Sequence, residues 1–318
     1  MIERADWLEW RSHGIGGSDA AAVCNLDPFK SAVEVWLEKT GQIPPADENP
    51  RMRWGRLLER PIADEVELEH RVYIRDRQLL RQHPGLPWMR CTLDGLIYED
   101  AELGEPLALY EGKTTDLLRY VRWGEDDDLP VWVQLQVQHN LAVCNLDLAW
   151  VSVLSGKLRL RVIPVHRDDG LIGDLIEEEE AFWERVLSGE PPVEVDGRES
   201  TRAAIRVAYA EPEPQSSVEL PPEETRELLD RRAVGKALIS EGEEAVRLAE
   251  NRLGMLLGDH EAGCIDGIEV VRWPRVTPGR RLTEKSVAKL RADYPGIWER
   301  YAENPEPYRR WHIPKEER

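Results

Sequence analysis

Asp94-Gly95 and Glu111-Gly112-Lys113 are the residues of this chain whose types and spacing could do chemistry. In a strand, residues two apart project from one face, so Glu111 and Lys113 point together. Strand-like runs at 89–98 and 107–114 flank a polar connection with Gly104 and Pro106. A hairpin there would bring Asp94, itself placed in a strand, beside Glu111 and Lys113. Two carboxylates with an open backbone carbonyl are hard oxygen ligands suited to Mg²⁺ or Mn²⁺. A lysine beside such an ion can position or polarise a water whose pKa the ion lowers. An E-x-K pair in a strand is ordinarily a surface ion pair. Three features set this one apart: Gly95 permits close approach of backbone or substrate, strand patterns lie on both sides, and Glu59 waits upstream on a helix with Arg56 and Arg60.

The surrounding elements must hold these groups. Trp54, Leu57, Leu58, Ile62 and Val66 mark a helix over 52–70, which Pro61 should kink or start. Residues 130–144 read as a helix with three glutamines. Gln136 shares its stripe with Val133 and Val143, and a polar amide among apolar residues wants a partner. His139 reads as a packed core histidine and is left outside the metal site. The β-rich runs 148–154 and 158–165, split by Ser155-Gly156, form a second hairpin. An amphipathic helix follows at 171–187, with Glu177, Glu178, Glu179 and Glu180 as its solvated face. Near the start, Ser18 or Asp19 caps a helix beginning at Ala20, and Gly41 ends another. The alternation predicts a mixed α/β core at 1–195. Paired prolines and acidic residues suggest a linker at 196–222, then an extension at 223–318. That extension is expected to be a helical hairpin interrupted by Gly235 and Gly242, with small strands at 267–273 and 308–313.

The chain has 318 residues, 41% hydrophobic and 32% charged, which suits a large globular core. Charge interrupts every apolar run before a membrane span is reached. The first residues have neither the basic nor the apolar region of a secretory signal, so a cytoplasmic location is expected. Cys24, Cys91, Cys144 and Cys264 are too scattered for a disulfide scaffold, a zinc site or an iron–sulfur cluster. A net charge of −19 argues against coating nucleic acid non-specifically, although residues 51–90 and 262–318 are mildly basic.

Several motifs, taken in order, resemble one family. They are Gly14-Ile15-Gly16-Gly17-Ser18-Asp19-Ala20-Ala21, then Glu34-Val35-Trp36-Leu37-Glu38-Lys39-Thr40-Gly41, then Gly55-Arg56-Leu57-Leu58-Glu59-Arg60-Pro61. Thr92-Leu93-Asp94-Gly95, Glu111-Gly112-Lys113-Thr114 and Gln136-Val137-Gln138-His139-Asn140-Leu141-Ala142-Val143 complete the set. Together they resemble the YqaJ-type viral recombinases, relatives of phage lambda exonuclease in the PD-(D/E)xK nuclease superfamily, over about residues 7–190. Leu93 stands where the family has proline, and Gly112 where it usually has an aliphatic residue; neither change removes a ligand.

The resemblance implies a PD-(D/E)xK core, a central mixed sheet flanked by helices. It implies a 5′-to-3′ exonuclease on duplex DNA ends that serves single-strand-annealing recombination. By the family pattern, Glu59, Asp94, Glu111 and the Gly112 carbonyl hold two Mg²⁺ ions, for which Mn²⁺ would substitute, and Lys113 orients the water. Arg11, Ser18 and Gln136 match positions that bind the terminal 5′-phosphate. A homo-oligomeric ring, trimer or tetramer, and an annealing protein as partner are further expectations. The alternatives are an endonuclease, which would want a base-reading module, and a non-catalytic end-binding scaffold, against which the intact Asp94, Glu111 and Lys113 speak.

Overall fold

The computed structural model describes residues 3–302, apart from 46–48, 101, 103, 116–128, 157–158, 278 and 280–281. It opens with helix α1 (Arg4–Ser12), strand β1 (Ile15–Gly16) and helix α2 (Gly17–Val23). The N-cap of α2 is Gly16, not Ser18 or Asp19. Asp19 works from inside the first turn, where its Oδ2 accepts from Gly16 N at 3.3 Å. Helix α3 (Ala32–Lys39) starts at Ser31, whose hydroxyl accepts from Glu34 N. Helix α4 (Pro50–His70) is capped by Asn49, with Pro50 in the first turn where an N–H is not needed. It continues through Pro61, so that proline does not mark its start.

The strands that follow are β2 (Tyr73–Arg75), β3 (Leu79–Gln82), β4 (Met89–Leu93), β5 (Gly95–Tyr98) and β6 (Ala108–Thr115). Helix α5 (Val131–Cys144) leads to β7 (Leu148–Ser155) and β8 (Leu160–His166), then to helices α6 (Asp169–Ser188) and α7 (Glu199–Ala208). The main sheet has the order β2-β5-β6-β7-β8. It is mixed: β6 and β7 run parallel, and the other neighbours are antiparallel. A parallel pair needs a crossover, and α5 lies in it. Burial follows the pleat of β6. Leu109 packs with Val137 and Leu141 of α5, while Ala108 and Tyr110 pack with Ala63 and Val66 of α4 on the opposite face. Fully buried side chains such as Leu109 and Leu141 each contribute roughly 1.5–3 kcal/mol. The result is the expected class, a mixed α/β fold with a central mixed sheet between helices.

The expected hairpin exists between β5 and β6, but its first half is corrected. β4 belongs to a second sheet, of order β1-β4-β3, and Asp94 is not within a strand. It is the single bend residue at which the chain changes sheets. Gly95 explains how: a Cβ there would lie 2.6 Å from Ile74 Cγ2 and 3.2 Å from Arg75 O. The close approach that glycine permits is that of β2.

The 196–222 linker is corrected in its first part. Arg198 donates to the carbonyls of Lys30, Asn25 and Asp27, and α7 packs Ala204 with Trp36 and Val33 of α3. One compact unit runs to Ala210 and a second begins at Glu211. In the second, a single 36-residue helix, α8 (Pro222–Leu257), replaces the expected helical hairpin. Gly235 and Gly242 are unobstructed positions within it. Each glycine costs about 0.5–1 kcal/mol in a helix interior, too little to break one that also carries the ion pairs Glu227–Arg231 and Glu243–Arg247. Strands β9 (Ala262–Ile265) and β10 (Ile268–Arg272) pair across Asp266-Gly267, both at positive φ. Helices α9 (Glu284–Asp293) and α10 (Pro295–Tyr301) follow, and the expected strand at 308–313 lies outside the described residues. No helix among the described residues is long and apolar enough to cross a membrane.

Candidate active site

Glu111 and Lys113 share a face of β6, and Lys113 Nζ donates to Glu111 Oε1 at 2.7 Å. Gln136, from α5, closes the group. Its Nε2 donates to the same Glu111 oxygen at 2.7 Å, and its Oε1 accepts from Lys113 Nζ at 2.8 Å. Asn140, one turn along α5, donates to Glu111 Oε2 at 3.3 Å. The carboxylate of Glu111 is therefore gripped at both oxygens while almost fully buried. Asp94 enters from the sheet switch, where its Oδ2 accepts from Gly112 N at 2.9 Å. A cleft of about 450 Å³ opens over the group, lined by Arg51, Trp54, Leu58, Lys113, Trp132 and Gln136.

The carboxyls strain against one another electrostatically. Burial pushes Asp94 well above the ordinary carboxylate range, and the charge of Glu111 pushes it further; Lys113 and the Gly112 N–H oppose this only in part. Burial also raises Glu59 on α4, with Glu111 next, against Arg56 and Lys113. Glu59 is thus coupled to the same centre. For Lys113, burial disfavours the ammonium, but Glu111 and Asp94 outweigh it and its pKa rises.

Asp94, Glu59 and Glu111 suit a hard divalent cation by donor chemistry, since a cation would relieve their mutual repulsion. Among the described residues, no three His, Cys, Asp or Glu side chains converge closely enough to enclose an ion.

The three residues matched to a phosphate pocket do not share one set of hydrogen bonds among the described residues. Arg11 Nη2 reaches Ser18 Oγ at 3.3 Å, whereas Gln136 bonds to Glu111 and Lys113. The two groups are neighbours through Gly17, whose added Cβ would meet Asn140 Oδ1 at 2.2 Å and Gln136 O at 3.2 Å. α1 is held to β4 by Trp7 Nε1 donating to Thr92 Oγ1, 3.0 Å, and by Arg90 Nη1 donating to Trp10 O, 2.8 Å.

Two features are not legible in the sequence alone. Asn140 belongs to the site as well, following Gln136 by four on the same helix. Glu179, assigned to a solvated face, is instead completely buried and faces His139, with Nδ1 to Oε1 at 2.8 Å. The second ring nitrogen of His139 meets Arg90 O at 2.8 Å. With Glu179 ionised both partners are acceptors, and a ring that donates from both nitrogens is an imidazolium. The physical balance agrees: burial lowers the His139 pKa, but the charge and hydrogen bond of Glu179 outweigh it and the net shift is upward.

A raised folded-state pKa has a definite sign. The stabilisation is complete below the unfolded value, about 6.5, and is lost as pH rises through the folded pKa. The melting temperature of the wild type relative to Glu179→Gln is therefore expected to decline as pH increases above that point. A difference that stays flat with pH would contradict the charged assignment.

Three kinds of relative place these observations. A family model described as the YqaJ-like viral recombinase domain matches residues 6–147. The protein YqaJ of Bacillus subtilis (strain 168) is 31% identical over 303 residues, covering 94% of this chain and 91% of that one. Among solved structures, the alkaline exonuclease LHK-Exo of Laribacter hongkongensis is similar with a TM-score of 0.49 at 17% identity, over 58% of this chain and 94% of that chain. A phage-related exonuclease from Haemophilus somnus 129PT gives 0.42 at 9% identity, over 55% and 96%. With that identity sustained along nearly its whole length, the chain belongs to the YqaJ-like viral recombinase family.

Proposed function

We propose that this protein is a Mg²⁺-dependent 5′-to-3′ exonuclease on linear duplex DNA, leaving 3′ single-stranded tails for single-strand-annealing recombination. The observation that carries the reading is the closed Glu111–Lys113–Gln136 group, with Asp94 on the Gly112 amide, opening onto a cleft. Membership in a viral recombinase family supports it.

Glu59, Asp94, Glu111 and the Gly112 carbonyl would hold the metal. Bound Mg²⁺ supplies positive charge to the scissile phosphate and acidifies the attacking water. The chain's own part is positional. Lys113 Nζ spends two hydrogen bonds on Glu111 and Gln136, which fixes the ammonium and leaves its third N–H to orient a water or phosphate oxygen in the cleft. Gln136 and Asn140 hold the Glu111 carboxylate in one orientation, and Arg11 with Ser18 offers donors to a 5′-phosphate.

A homo-oligomeric ring around the duplex, a trimer or tetramer, belongs to this reading. Its support is electrostatic: a chain at −19 can approach DNA by turning basic tracts such as residues 51–90 inward. Digestion of linear duplexes labelled at the 5′ or the 3′ end tests the whole reading, with and without 5′-phosphate and Mg²⁺, alongside light scattering. Release of 5′-label first, requiring Mg²⁺ and a free end, is the expected result. Cleavage of closed circles, or 3′-label released first, would overturn it.

A further inference from the structure

Asp19 is buried on α2, yet three cations surround it, and two of them, Lys30 and Lys39, lie outside the phosphate reading. Arg11 Nη2 lies 3.0 Å from its Oδ1, Lys30 Nζ 3.3 Å from the same oxygen, and Lys39 Nζ 2.8 Å from Oδ2. Lys30 also meets Glu38 at 2.5 Å, and Lys39 donates to Arg11 O at 2.8 Å. We infer that Lys30 is a further contact for the terminal phosphate, and that Asp19 is the residue that positions Lys30 and Arg11 together to receive it. The inference rests on the phosphate reading of Arg11 and Ser18 above.

Charge and exposure both point to an anion. Three cations face two carboxylates, Asp19 and Glu38, so the cluster keeps a positive excess in a chain whose total is −19. The exposures divide the cations by task. Lys39 is only 4% exposed and is occupied by Asp19 and the Arg11 carbonyl, which makes it an internal brace. Arg11 and Lys30 are 25% and 22% exposed, so both reach solvent from a shared anchor. Because they bond one oxygen, their nitrogens lie within two hydrogen-bond lengths of each other, close enough for one phosphate to touch both.

The arrangement favours a terminal phosphate over an internal one. A monoester carries a charge of about −1.5 to −2 at neutral pH and three acceptor oxygens. An internal diester carries one negative charge spread over two such oxygens. Arg11, Lys30 and the Ser18 hydroxyl match the monoester in charge and donor number. Arg11 bonds to Asp19 and Ser18 through Nη2, and its guanidinium stacks 4.9 Å from the Trp7 ring, which limits its rotation. Burial raises the Asp19 pKa, but Lys39, Arg11 and Lys30 outweigh it, so the carboxylate stays ionised as an anchor.

The test measures binding without turnover. A hairpin duplex with one open end, carrying either 5′-phosphate or 5′-hydroxyl, is titrated with the full-length protein in EDTA, read by fluorescence anisotropy. The wild type is expected to prefer the phosphorylated end by about tenfold or more. Lys30→Gln and Asp19→Asn should each bring that ratio down toward one. Lys30→Gln should also flatten the logarithmic salt slope by about one for the phosphorylated end. Melting scans accompany each variant. Should Asp19→Asn unfold, Asp19→Glu replaces it, keeping the charge but displacing the anchor oxygens, and is expected to lower the ratio too. A wild-type preference that survives in the folded variants overturns the inference and leaves the phosphate reading standing. No preference in the wild type removes the phosphate reading, and the inference with it.

Discussion

Replacing Lys113 by alanine is expected to lower turnover on linear duplex DNA by roughly 10²–10⁴-fold, the range over which a positioned proton-handling side chain contributes. Magnesium binding should persist. The ammonium is not a ligand, and Glu111 Oε1 keeps its second donor, Gln136 Nε2, when the lysine is gone. Asp94→Asn should fail differently, because it takes a charged oxygen from the ligand set; the Mg²⁺ heat in calorimetry should weaken along with activity. The two variants therefore separate positioning from coordination. Full activity in Lys113→Ala, or undiminished Mg²⁺ heat in Asp94→Asn, would be incompatible with the roles assigned here.

Removing Glu179 is expected to have the largest effect on stability. Glu179→Ala forces His139, in a site where both side chains are completely buried, 0% exposed, either to carry an uncompensated charge or to give up its proton, with the Arg90 carbonyl as its remaining hydrogen-bond partner among the described residues. Breaking a buried pair from one side costs about 3–5 kcal/mol, and for a protein of this size the melting temperature should drop on the order of 10 °C. Glu179→Gln should cost less, because the amide oxygen still accepts from Nδ1. The consequence reaches the active site, since His139 sits next to Asn140, which holds Glu111 Oε2. Thermal unfolding of the two variants decides the matter. Equal, small losses would mean that the pair contributes little.

What could be read from the sequence was local geometry. Glu111 and Lys113 meet because a strand repeats every two residues, and no tertiary information is needed for that. Asp94 was legible as a carboxylate before a glycine, but the change of sheet was not, because only the approach of Ile74 to Gly95 reveals it. His139 and Glu179 are forty residues apart, and an acidic run on a helix looks solvated until a cation from another helix is found beneath it. Asp19 passed for a helix cap for the same reason: Arg11, Lys30 and Lys39 come from three separate stretches of chain. Gly235 and Gly242 look like a break in the sequence, while the ion pairs around them support a continuous α8.

Helix α7, in the stretch expected to be linker, bears on how the protein can be shortened. A chain cut at the double proline after Glu190 would keep Glu59, Asp94, Glu111 and Lys113 but lose α7 and the Arg198 clamp. The side of Trp36 and Val33 that Ala204 covers would then meet water. Newly bared apolar surface of that kind promotes self-association. Such a fragment would be prone to precipitate with its reactive groups intact, so inactivity in it would report on solubility, not on chemistry. A cut after Ala210 keeps α7 and spares that face.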